Sequence, residues 1–351
     1  MADRVEIAIG KARSPRRCFR KGYDVLTLAD IEDAAHLVHR HMPPTPQHVW
    51  PLLGRRFGCE VVVKHENHTP VGAFKLRGGI VYVERLARER PGVKGIVSAT
   101  RGNHGQSLAF AGKAFRVPVA IVAPRGNSVE KNAAMRALGA ELIEAGEDFD
   151  DAKEAATKIA GERGYEFVPS FTPDLVKGVA TYALELFSAH GDIDTLYAPI
   201  GLGSGICGLI AVRDGMGLKT RIVGVVPERA NSYRLSFDAG RVVPVNSCNS
   251  FADGIAIRVP DEEALGMIRA GVARIVEVSE DEIAEAIRVL HEDTHNLAEG
   301  AGAAAIAALA KDNARSKGAK AAAILSGGNI DRPLAAQVLA GRTPRLSETS
   351  A

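Results

Sequence analysis

The chain has 351 residues, of which 46% are hydrophobic, 25% charged and 5% aromatic. This is ordinary globular composition; it excludes a disordered, collagenous or fibrous chain and is long enough for two domains. Lys and Arg number 44 against 42 Asp and Glu, a formal net charge of +2, so overall charge gives no reason to expect nucleic acid or an anionic membrane as partner.

The N-terminus, Met-Ala-Asp-Arg-Val-Glu, contains no apolar signal core. Residues 11–21 carry six basic side chains and no acid, which reads as a solvated arm, with a dimer contact as the alternative. A first helix is expected at Thr27-Leu-Ala-Asp30, where a Thr cap and an acid three residues on precede apolar residues at helical spacing. Strands are then expected over 60–64, 95–99, 118–122, 141–144, 195–200, 221–226 and 321–325. Helical periodicity lies between most of them, over 79–89, 104–115, 129–138 and 149–163. Such alternation, with strands too apolar for one wet face, implies parallel sheets covered by helices on both sides. Ser279-Glu-Asp-Glu282 is a second capping box and opens an acidic helix to about Glu292. Cys18, Cys59, Cys207 and Cys248 lie far apart without CxxC spacing, as expected of free thiols in a reducing compartment. The weakly polar stretch 198–212 is too short to span a bilayer, so the expectation is a soluble, cytoplasmic protein.

Four clusters could carry chemistry. In Lys64-His-Glu-Asn-His-Thr-Pro-Val-Gly72-Ala-Phe74-Lys75-Leu-Arg77-Gly-Gly79, Lys75 follows an apolar stretch at a helix start, two residues from Arg77. Removal from water and a neighbouring cation would both depress the amine's pKa and make it nucleophilic; an ordinary surface lysine is the plain alternative. In Val97-Ser-Ala-Thr100-Arg101-Gly102-Asn103-His104-Gly105, a strand ends in small polar residues and a helix begins, an arrangement of donors suited to a carboxylate. His104 there is more naturally a hydrogen-bonding group than an acid–base catalyst. Ala198-Pro-Ile-Gly201-Leu202-Gly203-Ser204-Gly205-Ile-Cys-Gly208 runs a strand into glycines that open a helix, a turn suited to phosphate. The same residues fit GxGxxG, with Glu228 at the end of the next strand, so a nicotinamide enzyme competes at this point. Last, Ile324-Leu-Ser326-Gly327-Gly328-Asn329 ends a strand with a hydroxyl and two glycines.

Taken together and in this order, the four clusters resemble the fold-type II pyridoxal-phosphate enzymes, in particular the threonine/serine dehydratase (ammonia-lyase) and serine racemase group. The resemblance covers about residues 41–331. It implies an α/β, tryptophan-synthase-β-like fold of two parallel-sheet, three-layer domains with the cofactor, pyridoxal 5'-phosphate, between them. Residues 1–83 and 179–351 would form the larger domain and 84–178 the smaller, inserted one. By resemblance Lys75 would hold the cofactor as an imine, Phe74 would pack beside it, and Asn103 would bond its ring hydroxyl. Gly201, Leu202, Gly203, Ser204 and Gly205 would hold the phosphate, and Ser326 would donate to the pyridine nitrogen. Thr100, Arg101, Asn103 and His104 would line the substrate carboxylate. A nicotinamide site explains only the glycine loop, whereas this cofactor explains all four clusters. A homodimer and a small amino-acid substrate are the expected partners.

Three departures from the family pattern matter. Leu202 and Ser204 interrupt the usual run of four glycines, which keeps the backbone donors. Arg101 stands where dehydratases have Ala, the racemase has Ser and diaminopropionate ammonia-lyases have Asp. An arginine is no base at neutral pH, which argues against racemisation; it would pair with a second acid on the substrate or with the protein. Val226 and Ser232 replace the two carboxylates of the racemase's divalent cation site, so that site is expected to be absent. With 20 residues after Asp331, a C-terminal effector domain is not expected. The expected reaction is loss of water from an L-β-hydroxy-α-amino acid, threonine or serine first, giving a 2-oxo acid and ammonia. A 3-hydroxyaspartate or phenylserine dehydratase and a β-substituting transferase are the alternatives.

Overall fold

The computed structural model describes residues 26–312 and 318–345. The basic arm at 11–21 and Cys18 lie outside the described residues.

The chain opens with α1 (Leu28–Val38), started by a reciprocal Thr27–Asp30 capping box. An edge strand β1 (Gln47–Val49), helix α2 (Pro51–Phe57) and strand β2 (Glu60–His65) follow. Helix α3 (Lys75–Glu89) begins four residues before the periodicity suggested, because Gly78 and Gly79 hide the apolar stripe of its first turn. Strands β3 (Ile96–Ala99), β4 (Val119–Ala123), β5 (Glu141–Glu144) and β6 (Glu166–Phe167) are interleaved with helices α4 (Asn103–Phe115), α5 (Val129–Ala137) and α6 (Phe149–Arg163). Then come α7 (Pro173–Ala189), β7 (Thr195–Pro199), α8 (Ser204–Gly215), β8 (Arg221–Pro227) and α9 (Ser232–Ala239). The last third holds α10 (Glu262–Gly271), β9 (Arg274–Val278), α11 (Glu280–Thr294), α12 (Gly300–Lys311), β10 (Lys320–Leu325) and a final helix, Arg332–Leu339. The Ser279–Glu282 capping box starts α11 as the sequence predicts.

Two sheets result. A four-stranded sheet, order β5-β4-β3-β6, is parallel throughout. A six-stranded sheet, order β1-β2-β10-β7-β8-β9, is parallel except for β1, which pairs antiparallel with β2 at the edge. Both faces of the larger sheet are covered. Val61 and Val63 pack into one apolar core with α11 and α12, whereas Val62 between them packs into another with α7 and α8. The smaller sheet does the same, with Ile96 and Ile121 on one side and Val97, Ala120 and Val122 on the other. Burial on both faces is why these strands read as continuous apolar runs.

Helix α3 is held on two sides at very short range. A β-carbon at Gly78 would lie 2.9 Å from the Leu175 carbonyl oxygen of α7, and one at Gly79 would lie 2.9 Å from the Ser107 carbonyl oxygen of α4. Gly178 of α7 in turn rests on the Arg77 carbonyl. None of the described helices is long and apolar enough to cross a membrane.

Candidate active site

The start of α3 is set by the end of β10. The Phe74 N–H donates to the Ser326 carbonyl at 3.0 Å, and Ala73 bridges Gly327 in antiparallel fashion. This puts Lys75 at the first helical position, where its carbonyl accepts the Ser107 hydroxyl at 2.6 Å. The Lys75 Nζ lies 3.4 Å from the Ser204 Oγ and 5.3 Å from the centre of the Phe74 ring. Although its stem is partly accessible, the amine sits deep enough that lost hydration pulls its pKa down to about 8.

Arg77 plays no part in that shift, contrary to the expectation from its spacing. Its guanidinium points away into a buried network, donating to Glu66 at 2.7 and 3.0 Å, to Glu185 at 2.6 and 2.9 Å and to Thr181 at 3.0 Å. Lys64 donates to Glu185 at 2.5 Å in the same network. Burial alone would raise the Glu185 carboxyl, but Arg77 and Lys64 outweigh it and hold the carboxyl down to about 2. Two anions and two cations balance, and the charge of Arg77 is spent there.

The glycine turn follows β7. Gly203 adopts φ +106, in the left-handed region, and caps α8 without a side-chain bond, so the first N–H groups of α8 have no partner within the helix. Two tyrosines brace the turn. Tyr233 Oη donates to the Leu202 carbonyl at 3.0 Å and accepts the Asp261 N–H at 3.1 Å. Tyr182 Oη donates to the Gly205 carbonyl at 2.9 Å, and its ring meets Phe74 edge-on at 6.2 Å. A β-carbon at Gly201 would lie 2.7 Å from the Gly254 carbonyl oxygen. Gly201, Leu202, Gly203, Ser204 and Gly205 therefore form one fixed turn facing Lys75 and Phe74.

The turn after β3 reaches the same place. His104 is buried behind Lys75; burial, with the Lys75 charge adding, lowers its pKa to about 3, so it is neutral and no general acid at neutral pH. Asn103 accepts from Asn329 Nδ2 at 2.8 Å, which ties the turn to the residues after Ser326. Thr100 and Arg101 are held by local bonds: the Thr100 hydroxyl accepts the Gly102 N–H at 3.1 Å, and the Arg101 carbonyl accepts Asn127 Nδ2 at 2.9 Å. Among the described residues the Arg101 guanidinium makes no ion pair. At the positions where the resemblance would place metal carboxylates, Val226 is buried and the Ser232 hydroxyl donates to the Ile257 carbonyl at 2.6 Å.

Sequence reasoning missed the groups that support this cluster. Glu299, the residue before α12, is buried and accepts Asn103 Nδ2 at 2.6 Å. Its other oxygen lies 3.5 Å from Lys131 Nζ, which donates to Asp253 at 2.6 Å. The only trace of Glu299 in the sequence is an acid placed just before Gly300-Ala-Gly302, and nothing there names its partners.

Comparison with known proteins adds the following. The family described as "Pyridoxal-phosphate dependent enzyme" matches residues 38–327. The chain is 35% identical over 308 residues to the L-threonine ammonia-lyase of Thermotoga maritima, covering 88% of this chain and 76% of that protein. It is 31% identical over 319 residues to the L-threo-3-hydroxyaspartate ammonia-lyase of Saccharomyces cerevisiae, covering 91% and 98% respectively. Among solved structures, the processed form of threonine deaminase isoform 2 from Solanum lycopersicum superposes with a TM-score of 0.84 at 29% identity, covering 96% of this chain and 99% of that one.

Proposed function

The chain belongs to the pyridoxal-phosphate-dependent enzyme family, and we propose that it is an ammonia-lyase that removes water from an L-β-hydroxy-α-amino acid, threonine or serine in the first place. The products would be a 2-oxo acid and ammonia. The cofactor is pyridoxal 5'-phosphate. The approach of the Lys75 amine to Ser204, at the mouth of the glycine turn, carries this assignment.

The residues fit that group. A deep amine without a carboxylate partner among the described residues stands opposite a helix start whose N–H groups need an acceptor, as an aldehyde and a phosphate on one small molecule require. When bound, pyridoxal phosphate supplies an aldehyde for exchange with the substrate amine and a ring that withdraws electrons from Cα.

The chain's own residues then divide the work. The α8 N-terminus and Gly201 to Gly205 hold the phosphate, with Tyr182 and Tyr233 keeping the turn in shape. Phe74 bounds one side of the amine. The buried Ser326 hydroxyl, a neutral donor, would face the ring nitrogen and would leave it largely unprotonated, which favours prompt loss of a β-substituent. Thr100, Arg101, Asn103 and His104 receive the substrate carboxylate. The Lys75 amine, half neutral near pH 8 when free, would take the proton from Cα. Passing that proton on to the β-hydroxyl would let the group leave as water and return the Lys75 amine to its neutral form.

A second substrate, 3-hydroxyaspartate, is favoured by one observation: the Arg101 guanidinium lacks a protein carboxylate among the described residues and is free for the substrate's second acid. The yeast relative is named for that substrate. Racemisation is disfavoured, because Arg101 offers no base on the opposite face.

We take the four-stranded sheet and its helices as the smaller domain, about 84–178, inserted into the larger. A homodimer in the cytoplasm completes the proposal. Incubating the cofactor-loaded protein with threonine, serine, 3-hydroxyaspartate and phenylserine, and measuring 2-oxo acid release, tests it. Release from none of the four would overturn it.

A further inference from the structure

Asn103 has a side-chain amide with two N–H groups and one carbonyl oxygen, and the structure accounts for most of them. The carbonyl accepts Asn329 Nδ2 at 2.8 Å, and one N–H goes to Glu299 Oε1 at 2.6 Å. Asn329 cannot turn around to suit a flipped Asn103, because its own Nδ2 is also donated to the Val71 carbonyl at 2.8 Å. Glu299 is equally fixed. Its backbone N–H donates to the Gly327 carbonyl at 3.1 Å, and its carboxylate passes where a β-carbon at Gly327 would stand. An acceptor on one side and a donor on the other thus dictate which way the amide faces, and one N–H of Asn103 remains for a ligand.

The second Glu299 oxygen has no hydrogen bond of its own and lies 3.5 Å from the Lys131 ammonium. Lys131 belongs to α5, beside the four-stranded sheet, whereas Glu299 and Asp253 belong to segments packed on the six-stranded one. The Lys131 stem also fills the space behind Gly102, where a β-carbon would lie 2.5 Å from its Cδ. Lys131 therefore touches the substrate turn with its stem and the Glu299 carboxylate with its head.

We propose that Glu299 is a positioning residue that locks the Asn103 amide in its ligand-ready orientation, and that Lys131, anchored by Asp253, supplies the countercharge that keeps Glu299 an acceptor. This inference rests on the pyridoxal-phosphate chemistry proposed above, since Asn103 is taken to bond the cofactor ring hydroxyl.

Glu299→Gln separates this role from packing, because glutamine has the same shape. Its amide presents a donor as well as an acceptor, so the Glu299 side no longer selects an orientation and Asn329 is left as the one group that does. Burial works against the Glu299 charge, raising its carboxyl well above the ordinary range, so removing the charge spares the apoprotein a desolvation penalty. The expected result is an apoprotein melting temperature equal to or above wild type, together with cofactor binding weakened about tenfold or more, as befits a charge-assisted bond. Affinity is read by titrating the apoprotein with pyridoxal phosphate and following visible absorbance. Lys131→Met is expected to weaken cofactor binding as well, and to add little in the Glu299→Gln background.

Unchanged affinity in a folded Glu299→Gln protein would overturn the proposal, and so would a lowered apoprotein melting temperature, which marks a role in holding the fold. If Glu299→Gln does not fold, Lys131→Met alone decides: wild-type cofactor affinity there overturns it. Wild-type protein is the control for the cofactor itself. Failure of wild type to take up pyridoxal phosphate would sink the underlying chemistry, whereas failure confined to the variants concerns Glu299 alone.

Discussion

The Lys75 Nζ lies 3.4 Å from the Ser204 hydroxyl, although 129 residues separate them in sequence. Two helix starts, those of α3 and α8, are brought nose to nose, one supplying an amine and the other a row of N–H groups without helical acceptors.

Lys75→Ala removes the amine while leaving the glycine turn intact. Turnover of any β-hydroxy amino acid should fall by several orders of magnitude, and the visible absorbance of the cofactor-loaded protein should vanish. Phosphate-dependent retention of pyridoxal phosphate on a sizing column should persist in part. Turnover near wild type would remove Lys75 from its assigned role.

Burial of the Lys75 amine also makes a prediction about stability. Its folded value of about 8 lies below the ordinary 10.5, so the unfolded chain binds the proton more tightly. The folded apoprotein is therefore penalised below about pH 8, and the penalty is relieved as pH rises from about 8 to 10.5. Apo Lys75→Met should melt above apo wild type at pH 7, with the gap closing across that window. A gap independent of pH would show that the amine is hydrated.

Arg101→Ala tests substrate choice. If Arg101 receives a second carboxylate, kcat/KM for 3-hydroxyaspartate should fall by about 10- to 100-fold, the value of a charge-assisted hydrogen bond, with little change for threonine or serine. Parallel kinetics on the substrates decide. An equal loss on all of them would assign Arg101 to the α-carboxylate instead.

Arg77→Ala strands two buried carboxylates, Glu66 and Glu185, leaving Lys64, and His39 when it is protonated, to balance them among the described residues. Breaking a buried pair in this way costs about 3–5 kcal/mol, read as a lower denaturation midpoint. The Glu185 contribution has its own pH signature. Its carboxyl is depressed to about 2, so the stability it lends is complete above about 4.5 and disappears as pH falls towards 2.

Much of this architecture was legible in the sequence, for identifiable reasons. Strand β5 and helix α6 were bounded correctly because turn residues and an Asp148 cap flank them. The long helix α7 was not foreseen, despite its Thr172 cap, because Leu175, Val176, Val179, Tyr182, Ala183 and Leu186 bury most of its circumference and leave no clear apolar stripe. Helix α12 escaped for the same reason, being rich in alanine and buried almost all round. Within the site, the glycine turn and Lys75 could be read because each is a local pattern. Arg77 was misread as a neighbour of Lys75 because its partner Glu185 stands 108 residues away. Glu299 met Asn103 across 196 residues, and no spacing rule reports such a meeting.

The bare α-carbons at positions 78, 79 and 178 have a consequence for how this protein can change over generations. Each lets one helix axis rest almost directly on another, so the reach of the reactive nitrogen is calibrated by atoms that never touch a ligand. A single methyl branch introduced at any of the three would shove α3 sideways and mistune the amine from a distance. Loss-of-function variants are therefore to be sought in that seam between helices as well as at the residues doing the chemistry.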